Sequence, residues 1–462
     1  MHLDQIQKVY FIGIGGIGMS ALARFFHFHG KNVSGYDKTP TVLTQQLIDE
    51  GMSIHFEDNV ALIPKDADLV VYTPAVPKDH QELNWYLQNN VPVMKRSQVL
   101  GIITKSTFNI CIAGTHGKTT ITTMVAHLLR DTGYGCNAFL GGIAVNYNSN
   151  YWSNERQVCV VEADEYDRSF LQLHPNIAIV TAMDPDHLDI YGDRATFEQA
   201  FIDFTKQIKA DGMLIRKKGL SRETDLNAAT TYTYGNVKDA EIHPVNIKGE
   251  NGSNTFDVVG PGWTLEGLTL HMAGWHNVEN ITAAIAVAKY LGIEDEKIRT
   301  AVDRFKGVKR RFEYIIKEIQ ADHAQTKIMI DDYAHHPEEL RALLTGAKKL
   351  FPDLKLTLVF QPHLYSRTRD FADEFSASLS LADEVYLMPI YPARELPMDG
   401  VNSEMLVSKI TVPCTLLEDK EQILSLIENR VHQGNTPQLL ITAGAGNIDT
   451  MVLPIAKILN DQ

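Results

Sequence analysis

Cationic side chains are in short supply: 43 lysines and arginines stand against 57 aspartates and glutamates, a formal net charge of −14. A surface that negative excludes broad contact with nucleic acid or anionic membrane, whose phosphates it would repel. Anionic ligands must therefore meet cations gathered locally in clefts. Cysteine is scarce too, and Cys111, Cys136, Cys159 and Cys414 form no Cys-x-x-Cys pair, which leaves no zinc or dithiol redox motif. Three of them lie in or beside apolar runs, the setting of buried free thiols in a reducing compartment. No apolar run approaches the ~18 residues of a membrane span. The apolar stretch Val9 to Ile14 follows Asp4, contains Gly13 and leads to no small-residue cleavage pattern, so it does not read as a signal peptide. The chain reads as cytoplasmic, without internal repeat or low-complexity tract.

What is present is an alternation of strand-like and helix-like segments. At 462 residues the chain has room for about three domains of ~150 residues each. Residues 8 to 100 alternate Val9 to Ile14, a helix from about Met19, Asn32 to Tyr36, a helix near Leu43 to Glu50, Leu69 to Tyr72, and Val91 to Met94, a doubly wound α/β pattern. A fresh strand begins near Phe108, which bounds a first domain at 1–105. A middle domain, 106–312, continues with strands Val158 to Glu162, Ile177 to Thr181 and Met213 to Ile215, then a short-stranded, turn-rich stretch from 216 to 270 and a helix Val278 to Tyr290. The pattern restarts after Phe312 with Ile328 to Asp331, a helix Pro337 to Leu350, Lys355 to Phe360, Glu384 to Ile390 and Leu439 to Thr442, giving a third domain, 313–462.

The densest chemistry lies in Gly114-Thr115-His116-Gly117-Lys118-Thr119-Thr120, between the apolar strand Phe108 to Ala113 and a helix. That is the layout of a phosphate-binding loop. Glycines admit backbone N–H groups to a polyphosphate, the helix N-terminus adds positive potential, Lys118 reaches β/γ oxygens, and the Thr119 hydroxyl suits Mg²⁺. The spacing is shorter than the usual G-x-x-x-x-G-K-[ST], with Ile112 in place of the first glycine. A nucleoside triphosphate is the expected ligand.

Gly13-Ile14-Gly15-Gly16-Ile17-Gly18, with Asp37 ending the second strand, is a G-x-G-x-x-G turn. Alone it suggests a dinucleotide dehydrogenase, but its geometry specifies a diphosphate on a helix N-terminus more firmly than nicotinamide. Glu162-Ala163-Asp164-Glu165-Tyr166-Asp167 follows a strand expected beside the phosphate-loop strand, so one of its carboxylates is expected at the Mg²⁺. Asp184-Pro185-Asp186-His187-Leu188-Asp189 follows the next strand, with His187 a candidate metal ligand. Strand ends also carry Asp331 to Pro337 and Gln361 to Asp370, and Arg310-Arg311-Phe312 lies near a domain boundary.

Taken together with Gly274-Trp275-His276-Asn277-Val278-Glu279-Asn280 and Tyr391-Pro392-Ala393-Arg394-Glu395, these motifs resemble the Mur ligases over all three domains in order. The Gly-Ile-Gly-Gly-Ile-Gly-Met opening and Phe-Gln-Pro-His followed by Ser-Arg-Thr-Arg-Asp are most similar to the family's alanine-adding branch. The resemblance implies an α/β protein of three domains: an N-terminal Rossmann-like UDP-binding domain, a central P-loop ATPase-like domain, and a C-terminal Rossmann-like domain that binds the amino acid and closes on ATP. It implies an ATP- and Mg²⁺-dependent ligase of peptidoglycan precursor synthesis that joins L-alanine to UDP-N-acetylmuramate through an acyl phosphate.

By the same resemblance Gly13, Gly15, Gly16, Gly18 and Asp37 hold the UDP-sugar, and Gly114 to Thr120 hold ATP, with Asn277 and Asn280 on the adenine side. Lys118 meets the terminal phosphates. Thr119 and Glu162 ligate one Mg²⁺ and His187 a second. Arg311 and Asp332 match residues on phosphate and ribose, while Tyr333, His335 and Arg367 match positions around alanine and the muramoyl carboxylate, and Lys118, Glu162, His187, Arg311 and His335 form the catalytic set. Leu364 stands where many relatives have arginine, and no lysine lies between Tyr191 and Phe197, where some sister ligases carry a carbamylated one. A recycling branch that attaches an intact peptide to the same UDP-sugar shares the phosphate loop and the acidic cluster; the Gln361 to Asp370 segment favours the single amino acid.

Overall fold

Strand β1 (Lys8–Ile12) is buried at every residue but its first, the texture of a parallel strand covered on both faces. The computed structural model describes residues 5–185, 188–250, 252–272, 274–320, 326–393 and 395–461. β1 is followed by α1 (Ile17–Phe28), β2 (Asn32–Tyr36), α2 (Val42–Asp49), β3 (Ser53–His55), β4 (Leu69–Tyr72), α3 (Gln81–Gln88), β5 (Val93–Lys95) and α4 (Arg96–Lys105). The five strands are all parallel, in the order β3-β2-β1-β4-β5. Strand order therefore reverses between β1 and β4, where ligands of open α/β sheets bind beyond the strand C-termini. Gly13, with φ +85, stands at that point.

The chain continues through β6 (Phe108–Ala113), α5 (Lys118–Asp131), β7 (Asn137–Ala144), β8 (Ser149–Trp152), β9 (Val158–Ala163), β10 (Ile177–Val180), α6 (Leu188–Tyr191), α7 (Arg194–Thr205), β11 (Met213–Lys217) and β12 (Thr230–Tyr234). These strands form a seven-stranded sheet, β12-β11-β10-β6-β9-β7-β8, in which β7 and β8 pair antiparallel. The segment expected to be short-stranded instead contains three eight-residue strands, β13 (His243–Glu250), β14 (Ser253–Gly260) and β15 (Trp263–Leu270). In β14, buried Asn254, Phe256, Val258 and Gly260 alternate with more exposed residues, a period of two that turn residues at the strand ends disguise. Helices α8 (Trp275–Tyr290) and α9 (Asp295–Arg304) follow, with α8 packed on α5.

One apolar core runs from Phe11 and Phe26 through Cys111, Phe139 and Val161 to Phe201 and Leu226. It crosses residue 106 without interruption because α1 lies on β7 and β8, where the Phe25 ring meets Phe139 at 5.6 Å and Tyr151 at 6.4 Å. Buried Asn150 donates to Ser20 Oγ at 2.9 Å and accepts from Arg24. These sheets make one compact unit, Met1–Ile247 with Thr255–Leu270 and Trp275–Lys306.

The second unit is Lys248–Asn254, His271–Gly274 and Gly307–Gln462. It contains β16 (Glu313–Glu318), β17 (Lys327–Asp332), α10 (Pro337–Leu350), β18 (Leu356–Phe360), α11 (Tyr365–Asp370), α12 (Ala372–Leu379), β19 (Glu384–Leu387), α13 (Glu404–Val407), β20 (Cys414–Leu416), α14 (Gln422–His432), β21 (Leu439–Ala443) and α15 (Asp449–Asn460). Its six-stranded sheet runs β16-β17-β21-β18-β19-β20, with β16 an antiparallel edge. α10 starts cleanly because His336 caps it, Pro337 occupies its first turn, and Glu338 and Glu339 sit at the positive end of its dipole. Among the described residues no helix is long and apolar enough to cross a membrane.

Candidate functional site

The phosphate loop is shaped by contacts that only glycine permits. Gly114 has φ +135, and a Cβ there would lie 2.0 Å from Thr181 Oγ1 and 2.7 Å from the Ala182 nitrogen. The Thr181 hydroxyl donates to the His116 carbonyl, Thr115 N donates to the Ala182 carbonyl at 3.2 Å, and Asp184 N donates to Thr115 Oγ1 at 3.2 Å. Gly117, φ +81, caps α5 without any side chain, so the helix's first N–H groups are left to a ligand. Thr120 is buried in the first turn, whereas His116 is exposed, 3.7 Å from Asp184.

β9 and β10 flank β6, with Glu162 opposite Ile112 and Val180 opposite Ala113. Glu162 thereby lands beside the first turn of α5, where Thr119 Oγ1 donates to its Oε1 at 3.1 Å. Its other oxygen accepts from Gly141 N at 3.0 Å. Gly141, on β7, has no room for a side chain: a Cβ would sit 2.1 Å from Glu162 Oε2. Lys118 Nζ donates to the Gly114 carbonyl and to Glu165 Oε1, both at 2.7 Å. Glu165 is buried, its pKa raised by that burial against the pull of Lys118, and its Oε2 has no partner among the described residues. His187 and the preceding Asp186 lie outside the described residues.

Asn277 and Asn280 share one face of α8, the latter donating to the former at 3.5 Å. A Cβ on Gly117 would lie 3.3 Å from Asn280 Oδ1, so α8 presents this asparagine to the phosphate loop.

Beyond the ends of β1 and β2 lies a cavity of about 550 Å³. Gly13, Gly15, Gly16, Gly18 and Asp37 line it, as do Gly141, Glu162 and Asp164. Glu162 thus borders this cavity and the Thr119 hydroxyl at once. Asp37 is tied into the turn, its Oδ2 accepting from Gly15 N at 2.7 Å.

In the second unit, Arg311, Tyr333, His335 and Arg367 lie near one another beyond the ends of β17 and β18, with the Tyr333 and His335 rings 5.2 Å apart. The Asp332 carboxylate accepts from Phe312 N at 2.7 Å and Ala334 N at 2.8 Å, yet burial pushes it up to about 6. Arg311 Cζ lies 5.5 Å from the Tyr333 ring centre. Burial lowers the pKa of His335; its Nδ1 donates to the Tyr333 carbonyl at 2.9 Å, so that in the neutral ring the lone pair is on Nε2. Its ring lies 5.7 Å from that of His363, whose Nδ1, like Arg367 NH1, is buried without a partner among the described residues.

His363 supports a prediction. Burial, with His335 and Arg367 nearby, lowers its pKa to about 4, against about 6.5 for the unfolded chain. The folded state binds this proton less tightly, so the stability linked to the neutral ring is full above about pH 6.5 and is lost as pH falls toward 4. His363→Asn is expected to lose less stability than the parent between about pH 7 and pH 5. Urea midpoints at the two pH values check this, and equal losses would contradict it.

Four residues of the site carried no role in the sequence reading. Glu165 sat unassigned within the acidic cluster, and Thr181, Gly141 and His363 gave no local signal beyond a glycine inside a strand pattern, which marks close backbone approach. Leu364 adopts φ +70 and ψ 135, a conformation costly for any side chain, immediately after His363.

Three comparisons bear on this architecture. Residues 8–107 match the Mur ligase family catalytic domain, 112–288 the Mur ligase middle domain, and 310–446 the Mur ligase glutamate ligase domain. The UDP-N-acetylmuramate–L-alanine ligase of Flavobacterium johnsoniae is 47% identical, with 100% of both chains covered, and that of Parabacteroides distasonis is 46% identical over 100% of this chain and 99% of its own. Among solved structures, the UDP-N-acetylmuramate–alanine ligase of Thermotoga maritima superposes with a TM-score of 0.82 at 28% identity, covering 98% of each chain. A murein peptide ligase from Psychrobacter arcticus shares the fold, with a TM-score of 0.70 at 22% identity over 99% of each chain. The chain belongs to the Mur ligase family.

Proposed function

We propose that this chain joins L-alanine to the carboxylate of UDP-N-acetylmuramate at the expense of ATP, forming a peptidoglycan precursor in the cytoplasm and so serving cell-wall biogenesis. The observation that carries the reading is Glu162, which borders the cavity behind the Gly13–Gly18 turn and also accepts from Thr119 of the phosphate loop. A metal-ligating carboxylate at that point would sit where the ligands of the phosphate loop and of the cavity come together, the proximity that phosphoryl transfer between them needs.

A carboxylate is a poor electrophile without a leaving group, and ATP supplies one. The lactyl carboxylate attacks the γ-phosphorus in line, the bond to the β,γ-bridging oxygen breaks and ADP leaves, giving an acyl phosphate; the neutral amine of alanine then attacks the acyl carbon, loses its proton, and inorganic phosphate leaves. Lys118 exchanges Glu165 for the β/γ oxygens and offsets the crowding of two anions. Thr119 Oγ1 and Glu162 Oε1, 3.1 Å apart, are hard oxygen donors of the kind Mg²⁺ takes, and with His187 they would hold ions that supply further charge compensation. Gly13, Gly15, Gly16 and Gly18 hold the UDP-sugar within residues 1–105, and Asn277 and Asn280 hold adenine within 106–312. In residues 313–462, Tyr333, His335 and Arg367 receive alanine, while Asp332 serves ATP, as does Arg311 just before them. With Nδ1 given to the Tyr333 carbonyl, His335 takes the amine proton on Nε2.

The test is ADP release with each substrate omitted in turn, and with L-alanine exchanged for the tripeptide L-alanyl-γ-D-glutamyl-meso-diaminopimelate. Release that requires UDP-N-acetylmuramate, ATP, Mg²⁺ and L-alanine together is expected. Release with the tripeptide but not with alanine would reassign the chain to peptide recycling, and release without any acceptor would make it a hydrolase.

A further inference from the structure

We propose that Arg96 is the cationic anchor for the diphosphate of the UDP-sugar, and that Asp164 holds it until the diphosphate arrives. The inference rests on the ligase reading and adds to it the side chain that meets the ligand's charge.

The need for such a side chain follows from the cavity itself. Asp37, Glu162 and Asp164 line it, and Arg96 is the single basic residue among the described residues that do. The glycine turn offers backbone N–H groups, but Gly15 N is already engaged by Asp37 Oδ2 at 2.7 Å. A diphosphate entering this acidic cavity therefore needs a full positive charge in addition to amide dipoles.

Arg96 is placed to supply it. As the first residue of α4 it lays its guanidinium against the first turn of α1: a Cβ on Gly18 would lie 2.6 Å from Arg96 NH1 and 3.1 Å from Cζ. The bare Cα of the last glycine thus lets the guanidinium rest on the helix end where the turn would hold a diphosphate, a place that a side chain there would push it from. A guanidinium fork also matches phosphate oxygens in bidentate fashion.

The present partner of Arg96 is one that a phosphate can displace. NH2 stands 3.8 Å from Asp164 Oδ2, beyond hydrogen-bond range, with the two side chains 27% and 40% exposed. The next residue along repeats the device, since Glu165 holds Lys118 of the phosphate loop. Two successive acids of one loop each hold the cation of a different phosphate site. Asp164 Oδ1 accepts from Tyr166 N at 3.1 Å, a bond that asparagine would keep, so Asp164→Asn removes charge without releasing the loop.

The experiment measures calorimetric affinities for UDP, UDP-N-acetylmuramate and ATP on the full chain, its R96A, R96Q and D164N variants, and the R96A/D164N pair. R96A and R96Q are expected to weaken UDP about 10- to 100-fold while ATP affinity stays within about twofold. D164N is expected to tighten UDP several-fold with Arg96 present and not in its absence. UDP affinity unchanged in both Arg96 variants overturns the proposal, as do a loss confined to UDP-N-acetylmuramate, an equal loss for ATP, and a D164N gain that persists without Arg96. If the parent chain binds neither UDP compound, the ligase reading itself fails; if it binds them and the Arg96 variants do so equally well, only the present proposal fails.

Discussion

Lys118→Ala is expected to lower the rate of ADP release by about 100- to 1000-fold while UDP-N-acetylmuramate affinity stays near that of the parent, the scale of losing one transition-state charge donor. The main obstacle to the reaction is the approach of one anion to another, so the ammonium acts where charge accumulates. The same side chain also has a partner in the resting protein, and the two effects must be separated. Lys118 pairs with Glu165, whose side chain is 1% exposed, so the single substitution strands a buried carboxylate and is expected to cost stability on the order of 3 to 5 kcal/mol. Burial already raises the Glu165 pKa, and without its counter-charge this carboxyl becomes a neutral acid more readily. The double variant Lys118→Ala/Glu165→Gln is expected to recover most of that stability and none of the turnover. A Lys118→Ala protein that keeps more than about a tenth of the parent rate would refute the charge role, given that magnitude.

The parts of this site readable from sequence were those encoded by neighbours along the chain. A strand, two glycines, Lys118 and Thr119 in sequence announce a phosphate loop because the same short segment makes both the turn and the helix. Glu162 was legible one step further, since strands following such a loop return to its sides, and β9 and β10 do flank β6. The continuous core was not legible: the contact of Phe25 with Phe139 joins residues far apart in sequence, and the polarity pattern of α1 states that one face is covered without stating by what. The partners of cations were hidden for the same reason. Arg96 reaches Asp164 and Lys118 reaches Glu165 only after α4, β6 and β9 are assembled, and a basic residue at a helix start reads equally well as a solvated one. His363 belongs to a motif readable in the sequence, yet its lowered pKa depends on burial that emerges from the packed sheet.

The residue that best separates local from assembled information is Gly141, and Gly141→Ala is expected to be nearly as damaging as loss of a metal ligand. In sequence it is one of two adjacent glycines in an apolar stretch, with no motif around it. In the fold its amide donates to Glu162 Oε2 at 3.0 Å, and the space over its Cα is filled by that carboxylate, 2.1 Å from where a Cβ would be. A methyl group cannot be added without moving Glu162, because β7 is fixed beside β9 through Phe139 and Val161. Displacing the carboxylate breaks its contact with Thr119, so the pair of oxygen donors proposed for Mg²⁺ loses its spacing. Supporting residues of this kind are worth about 10- to 100-fold in metal affinity or activity. The expected result is a rise of that order in the Mg²⁺ concentration giving half-maximal ADP release, with UDP affinity reduced less, since the Gly13 to Gly18 turn itself is untouched. Titrating Mg²⁺ against rate for the parent, Gly141→Ala and Glu162→Gln decides the matter. Gly141→Ala should resemble Glu162→Gln in its metal requirement; an unchanged half-maximal Mg²⁺ concentration in Glu162→Gln would mean that Glu162 holds no ion, and one unchanged in Gly141→Ala alone would mean that the glycine does not position it.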